Sequence, residues 1–337
     1  MSLWLLLPFA AIVSYFLTAA LRRYALSASM IDVPNARSSH TVPTPRGGGV
    51  AIVLAFLFGL VTLGFVGVLP GALAVGLFGA GLIAALVGFL DDHGHVPARW
   101  RLLGHFSAAA WGLFWMAGAP PLVLFGTVFN LGWVGHVLGA VYLVWLLNLN
   151  NFMDGIDGLA SGQAVTACIG GALLYWQGGQ ASQLWLCGLL LAAVAGFWIW
   201  NFPPAKIFMG DAGSGFLGIM MGLLALHAAW ISPAFFWSWL ILLGVFIVDA
   251  TWTLFRRLLR GEKVHEAHRS HAYQYASRHY KSHRVVTLSV LLMNVIWLIP
   301  LALLVGSGLL NGAVGLLIAY VPLFVLAVKF KAGQREG

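Results

Sequence analysis

Apolar residues in this chain come in long unbroken runs instead of the alternating or every-third-residue patterns that build a half-wet core. Runs of roughly 17 to 23 residues occupy 3–21, 48–69, 71–90, 102–118, 134–150, 162–177, 183–200, 214–231, 234–254, 285–305 and 312–328, separated by Gly, Pro and charge clusters. About twenty apolar residues in a helix cross a bilayer. The pattern therefore predicts an all-α polytopic membrane protein with about eleven transmembrane helices. The first run, Leu3 to Leu21, lacks a basic leading segment and an A-x-A-like cleavage site, so it is read as the first helix and not as a signal peptide.

Composition agrees, because 61% of the 337 residues are hydrophobic and only 8% are charged, against roughly a quarter charged in a soluble domain. Where the charges fall fixes an expected orientation. All 18 Lys and Arg belong to alternate loops or to the tail after the last run. The positive-inside rule makes that side cytoplasmic, with the N-terminus outside and the C-terminus inside. The ten acids map to the same side or to the helix ends nearest it. Opposite loops such as Gly178 to Ser182 are too short to hold a site. The expectation is one membrane-embedded domain over 1–337 with its chemistry in loops 22–47, 91–101, 148–162, 201–215 and 255–284. A net charge of +8 then points to anionic headgroups and not to nucleic acid. Cys168 and Cys187 lie in apolar runs and are given no chemistry. His136 and His227, towards the outer side, are read as packing residues.

Five segments on the charged side carry candidate chemistry. Asp32 to Gly49 contains Arg37, His40 and Arg46 before three glycines; it is either an anion cradle of bare N–H groups or a basic juxtamembrane loop with a flexible hinge. Asp91 and Asp92 are adjacent carboxylates at a membrane edge, which either share a divalent ion or simply face water. Asn148, Asn151, Asp154 and Asp157 follow one another at three-residue intervals, and in a helix they would form one oxygen-rich stripe suited to a hard cation such as magnesium. In Asn201 to Gly215, Lys206, Asp211 and the glycines at 210, 213 and 215 look like a phosphate and metal loop, with Ser214 as a cap, although no Walker spacing is present. The longest loop gathers His265, His268, His271, His279 and His283 with Lys263, Arg269, Lys281 and Arg284. That tract can grip a diphosphate, attract lipid headgroups or, through His268 and His271, hold zinc.

The ordered set Asp91-Asp92, Asn148 to Leu159 (N-x-x-N-x-x-D-G-x-D-G-L), Gly210 to Ser214 (G-D-x-G-S) and His268-Arg269-Ser270-His271 resembles the polyprenyl-phosphate N-acetylhexosamine-1-phosphate transferase family. The last motif looks like the branch that starts O-antigen, lipopolysaccharide or related cell-envelope polysaccharides. It departs from the three-histidine run of the branch that transfers phospho-muramoyl-pentapeptide. The resemblance implies transfer of a sugar-1-phosphate from a UDP-N-acetylhexosamine to undecaprenyl phosphate with release of UMP, in the bacterial inner membrane. It also implies magnesium, with manganese as a substitute, and admits a homodimer.

On that resemblance, Asp91 or Asp92 orients or deprotonates the lipid phosphate, and Asp154, Asp157, His268 and His271 complete the catalytic set. Arg37, His40, Arg46, Asn148, Lys206 and Arg269 are expected to bind substrate, and Asn151, Asp154 and Asp211 to hold the metal. Two rivals differ in class. A CDP-alcohol phosphotransferase needs a D-x-x-D-G-x-x-A-R run that Asp154 to Gly158 only begins. A transporter or flippase of lipid-linked sugars would form no UMP.

Overall fold

The computed structural model describes residues 3–34, 39–40, 42–94, 96–262 and 268–334. Each apolar run falls on a helix or a helix pair. In chain order these are α1 (Leu6–Ser27), α2 (Val50–Phe65), α3 (Gly71–His93), α4 (Ala98–Trp115), α5 (Gly132–Phe152), α6 (Leu159–Gln177), α7 (Ala181–Asn201) and α8 (Asp211–Ile231). There follow α9 (Pro233–Leu242), α10 (Gly244–Leu259), α11 (Ala272–Tyr280), α12 (His283–Met293), α13 (Ile299–Gly306) and α14 (Gly312–Lys329).

Among the described residues, seven helices are long and apolar enough to cross a membrane, or eight if α9 and α10 form one span bent by 70°. The other runs make α2, of 16 residues, α4, whose first turn carries Arg99 and Arg101, and α6, which buries Ser161, Gln163 and Thr166. α2 is apolar but short, whereas α4 and α6 carry polar groups among their apolar residues. The run at 234–254 is not one straight helix, and the run at 285–305 contains a π turn, Asn294–Leu298, between α12 and α13.

The helices are not equivalent. In α8, 83% of the most apolar window is buried, against 22% in α1 and in α14. So α8 is the post around which α3 and α5 pack, while α1 and α14 turn most of their side chains outward. Small residues permit the close crossings: a Cβ on Gly88 would lie 2.4 Å from the Asp211 carbonyl carbon, so α3 can meet the start of α8 only there. Some buried polar groups within the bundle find partners in one another, since hydrocarbon offers them none. Gln163 donates to the Leu242 carbonyl, which the bend between α9 and α10 leaves without a helical partner, and Asn294 of the π turn donates to both Gln163 and Thr166.

Two short hairpins interrupt the all-α pattern. β1 (Ile31–Asp32) pairs with β2 (Thr44–Pro45), and β3 (Leu122–Leu124) with β4 (Thr127–Phe129). The second lies in the α4–α5 connection, on the side where loop length alone gave no reason to expect structure.

Candidate active site

The acids converge because three helix ends meet at one pole. α3 ends in Asp91-Asp92, α8 begins at Asp211, and α5 ends at Phe152 to release a loop that runs to Gly158. Gly158 turns this loop into α6 with φ +70°, a conformation that costs other residues a Cβ clash. The helical stripe expected from 148 to 157 is therefore broken. Asn151 stays on α5, whereas Asp154 and Asp157 sit on the loop.

A cavity of about 390 Å3 is lined by Asp92, Asp154, Asp157 and Asp211 together with Asn151, His40, Arg46 and His268. A smaller cavity of about 170 Å3 holds Asp91, Asn148, Arg101 and His105, and shares Asn151 and Asp211 with the first. Lys206, Arg269 and His271 line neither. Lys206 is exposed, with Nζ 5.4 Å from the Trp200 ring centroid, and Arg269 accepts through its carbonyl from Arg278. Arg37 lies outside the described residues.

The carboxylates differ in what already satisfies them. Asp92 is 4% exposed, and its two oxygens accept from the Asp211 and Ala212 backbone N–H groups at 3.1 Å each, so it caps α8 from a neighbouring helix. Arg46 reaches the Asp92 carbonyl at 2.6 Å. Asp91 faces the smaller cavity, paired with Arg101 at 2.5 Å and with the Val96 N–H at 2.9 Å. Asp157 accepts from the Ala205 N–H at 2.9 Å and lies 3.1 Å from His283 Nδ1. Burial alone would raise its carboxyl, but His283 and the Ala205 N–H hold it below the usual carboxylate range. Asp211 accepts from Asn151 Nδ2 at 2.8 Å. Asp154 makes no side-chain hydrogen bond among the described residues. Burial, reinforced by Asp211, Asp92 and Asp157, pushes its carboxyl well above the usual range.

Two segments that could have served as anion cradles are already filled by the protein. The Gly48 and Gly49 N–H groups donate to the Phe208 and Met209 carbonyls, at 3.0 and 2.8 Å, so the loop before α2 is a seam against the loop before α8. Its glycines serve approach: a Cβ on Gly49 would fall 2.5 Å from the Gly213 Cα. The first N–H groups of α8 belong to Asp92, not to a phosphate. Ser214, expected to cap that helix, instead lies inside it and accepts from Asn151 at 3.0 Å.

His268 and His271 stack with ring centroids 4.9 Å apart. Burial, with His271 and Arg257 nearby, pulls the His268 imidazole down to about 3, so it meets a ligand as a neutral hydrogen-bonding ring and not as a cation. His271 is 1% exposed and lies behind His268, with its Nδ1 3.3 Å from Asp249. Among the described residues no three acidic, His or Cys groups form a ready-made metal site. Magnesium makes a smaller demand on the protein, one or two carboxylates with substrate phosphate and water completing the shell. The unsatisfied oxygens of Asp154, with three further acids raising the local negative potential, fit that donor set.

Several lining residues were not among the expected site residues, Asn201 and His283 having been named only as members of longer candidate segments. Asn201 accepts from the Gly158 N–H and Ser161 and donates to the Ile207 carbonyl, tying the acid loop to the loop before α8. His283 bridges Asp157 and the Ser39 carbonyl, 2.9 Å away. Its place after Ser282, which caps α12, was a weak signal. Gln274 and Phe208 had none.

Comparison with known proteins accords with this geometry. Residues 74–229 match the model for glycosyl transferase family 4. The chain is 32% identical over 288 residues to a Bacillus subtilis protein named as a probable undecaprenyl-phosphate N-acetylglucosaminyl 1-phosphate transferase, covering 83% of this chain and 79% of that one. It is 35% identical over 246 residues to the decaprenyl-phosphate N-acetylglucosaminephosphotransferase of Mycolicibacterium smegmatis, 65% of this chain and 58% of that one. It is 32% identical over 206 residues to a phospho-N-acetylmuramoyl-pentapeptide-transferase of Streptococcus pneumoniae, 56% of this chain and 61% of that one. The chain belongs to the polyprenyl-phosphate N-acetylhexosamine-1-phosphate transferases of glycosyl transferase family 4 and is a phosphoglycosyltransferase.

Proposed function

We propose that the enzyme moves an N-acetylhexosamine-1-phosphate of the N-acetylglucosamine type from a UDP-sugar to undecaprenyl phosphate, releasing UMP, as the first membrane step of O-antigen or related envelope polysaccharide synthesis. The observation that carries this reading is the acid-lined cavity where α3 and α5 end and α8 begins, in which Asp92, Asp157 and Asp211 each accept a hydrogen bond while no described residue donates to Asp154. The acceptor's tail stays in the bilayer while its phosphate reaches a water-soluble nucleotide. The B. subtilis and M. smegmatis names support the sugar, and His268-Arg269-Ser270-His271 supports the polysaccharide branch over the pentapeptide one.

In this reaction an oxygen of the lipid phosphate attacks the phosphorus that bears the sugar, the bond from that phosphorus to the bridging oxygen breaks, and UMP leaves with the electron pair. A lipid phosphate is largely dianionic at neutral pH, since its second pKa is about 6. The task is thus to bring two anions together more than to remove a proton. Asp154 and Asp211, with the Asn151 oxygen, would hold magnesium, or manganese in its place, which when bound neutralises diphosphate charge. Asp92 fixes the start of α8 and so the position of Asp211. Arg46 and His40 face the donor across the cavity, and neutral His268 hydrogen-bonds it.

The membrane placement is part of the proposal: eleven spans, with α2, α4 and α6 added to the eight, the N-terminus outside and the cavity inside. The segregation of every Lys and Arg supports it. Mixing purified enzyme with UDP-N-acetylglucosamine, undecaprenyl phosphate and magnesium in detergent should release UMP and form a lipid-linked sugar diphosphate. Binding of both without UMP would favour a transporter and end the proposal.

A further inference from the structure

The buried acid that this chemistry leaves unused is Asp249, and its surroundings connect the bend in the bundle to the wall of the cavity. Asp249 sits on α10, six residues beyond Leu243, and is 5% exposed. One of its oxygens accepts from the Ala272 N–H at 2.9 Å, the other from the Tyr273 N–H at 3.0 Å. Thr253 donates to the same carboxylate at 3.1 Å. The carboxylate therefore closes the N-terminus of α11 from a different helix and fixes its direction.

The same carboxylate faces His271 Nδ1 at 3.3 Å and holds the ring in place. The ring so held is sandwiched, with Phe152 at 6.4 Å, Tyr273 at 5.7 Å and His268 at 4.9 Å between centroids. His268 reaches the cavity and His271 does not. The turn that Asp249 caps also sends the Tyr273 hydroxyl to the Phe152 carbonyl at 2.8 Å, and a Cβ on Gly155 would meet that hydroxyl at 2.1 Å. Both faces of the cavity, the His268 ring and the loop bearing Asp154, thus take their spacing from one residue on α10.

We infer that Asp249 is a positioning residue for donor binding, acting through the His271 ring and the first turn of α11 to hold His268 against the cavity. This rests on the transferase reading, in which His268 touches the donor. A buried partner that orients a ligand-contacting group typically changes affinity or activity by about 10- to 100-fold when removed.

The test is a double-variant cycle on UMP release by the full-length enzyme with UDP-N-acetylglucosamine. Asp249→Asn should lower kcat/KM by about 10- to 100-fold, mostly through KM, yet by less than about threefold once His268 is already Ala. A purely structural role would give losses that multiply, and multiplying losses, or no loss from the single variant, overturn the inference. If Asp249→Asn does not yield folded protein in detergent, Thr253→Val removes one hydrogen bond to the same carboxylate. Its smaller loss must likewise vanish in the His268→Ala background, and a loss that persists there, or no loss at all, overturns the inference too. Wild-type enzyme without UMP release would instead overturn the transferase reading, so the two failures are distinct.

Discussion

Asp92 and Asp154 line the same cavity with the same side chain, and the difference between them lies in what reaches them first. Asp92 ends a helix whose neighbour begins beside it, so two N–H groups of α8 fill its oxygens. Asp154 stands on a loop where no described residue donates to its side chain, with like charges on several sides. A satisfied carboxylate holds a frame together. An unsatisfied one stores unfavourable energy that a cation relieves, and function at the cost of stability is concentrated there.

Exchanging each acid for its amide is the sharpest way to break this contrast. Asp154→Asn should reduce UMP release by about a thousandfold or more, on the scale of losing a main electrostatic group from a reacting site, while the unfolding temperature in detergent holds or rises. A clear drop in that temperature would mean the Asp154 carboxylate is structural after all. Asp92→Asn should behave oppositely, lowering stability by about 1–3 kcal/mol as two buried N–H groups lose their charged acceptor, with turnover falling because Asp211 shifts. Unchanged unfolding would remove Asp92 from its capping role.

A pH series extends the comparison to His268. The unfolded chain protonates this imidazole near 6.5, but the folded one resists down to about 3. Its contribution to stability is therefore intact above 6.5 and declines as the pH falls between those values, because the unfolded state then binds the extra proton. His268→Phe should flatten that part of the stability curve, as read by urea unfolding from pH 7 to pH 4. An equally steep decline in the variant would assign it to other groups. The smallest effect belongs to Lys206→Ala, which should stay within about twofold of wild-type turnover, since the side chain is exposed on Trp200 outside the cavity. A loss beyond tenfold would bring Lys206 into the site.

Much of this was legible in sequence because a bilayer simplifies the code. The apolar runs located every helix except α11, which lies in the longest basic loop, and the one-sided placement of Asp92, Asp154, Asp157 and Asp211 foretold a single polar pole. What stayed hidden depends on approach between distant segments. Glycine-rich stretches at 47–49 and 210–215 read as anion cradles, yet their N–H groups belong to the Phe208 and Met209 carbonyls and to Asp92. Asp91 and Asn148 carry the right chemistry but face the neighbouring cavity, because which side a helix end presents is set by packing and not by spacing. Asp249 passed as one acid among ten, since nothing near it in the chain announces the helix it caps.

The amide of Gln163 has a further implication. It covers the carbonyl that the bend at Leu242 exposes, 79 residues away along the chain. Hydrocarbon cannot solvate a bare carbonyl, so the kink and the glutamine form one heritable unit. A descendant that straightens this helix is free to lose the glutamine, whereas one that keeps the kink must retain some donor at that place.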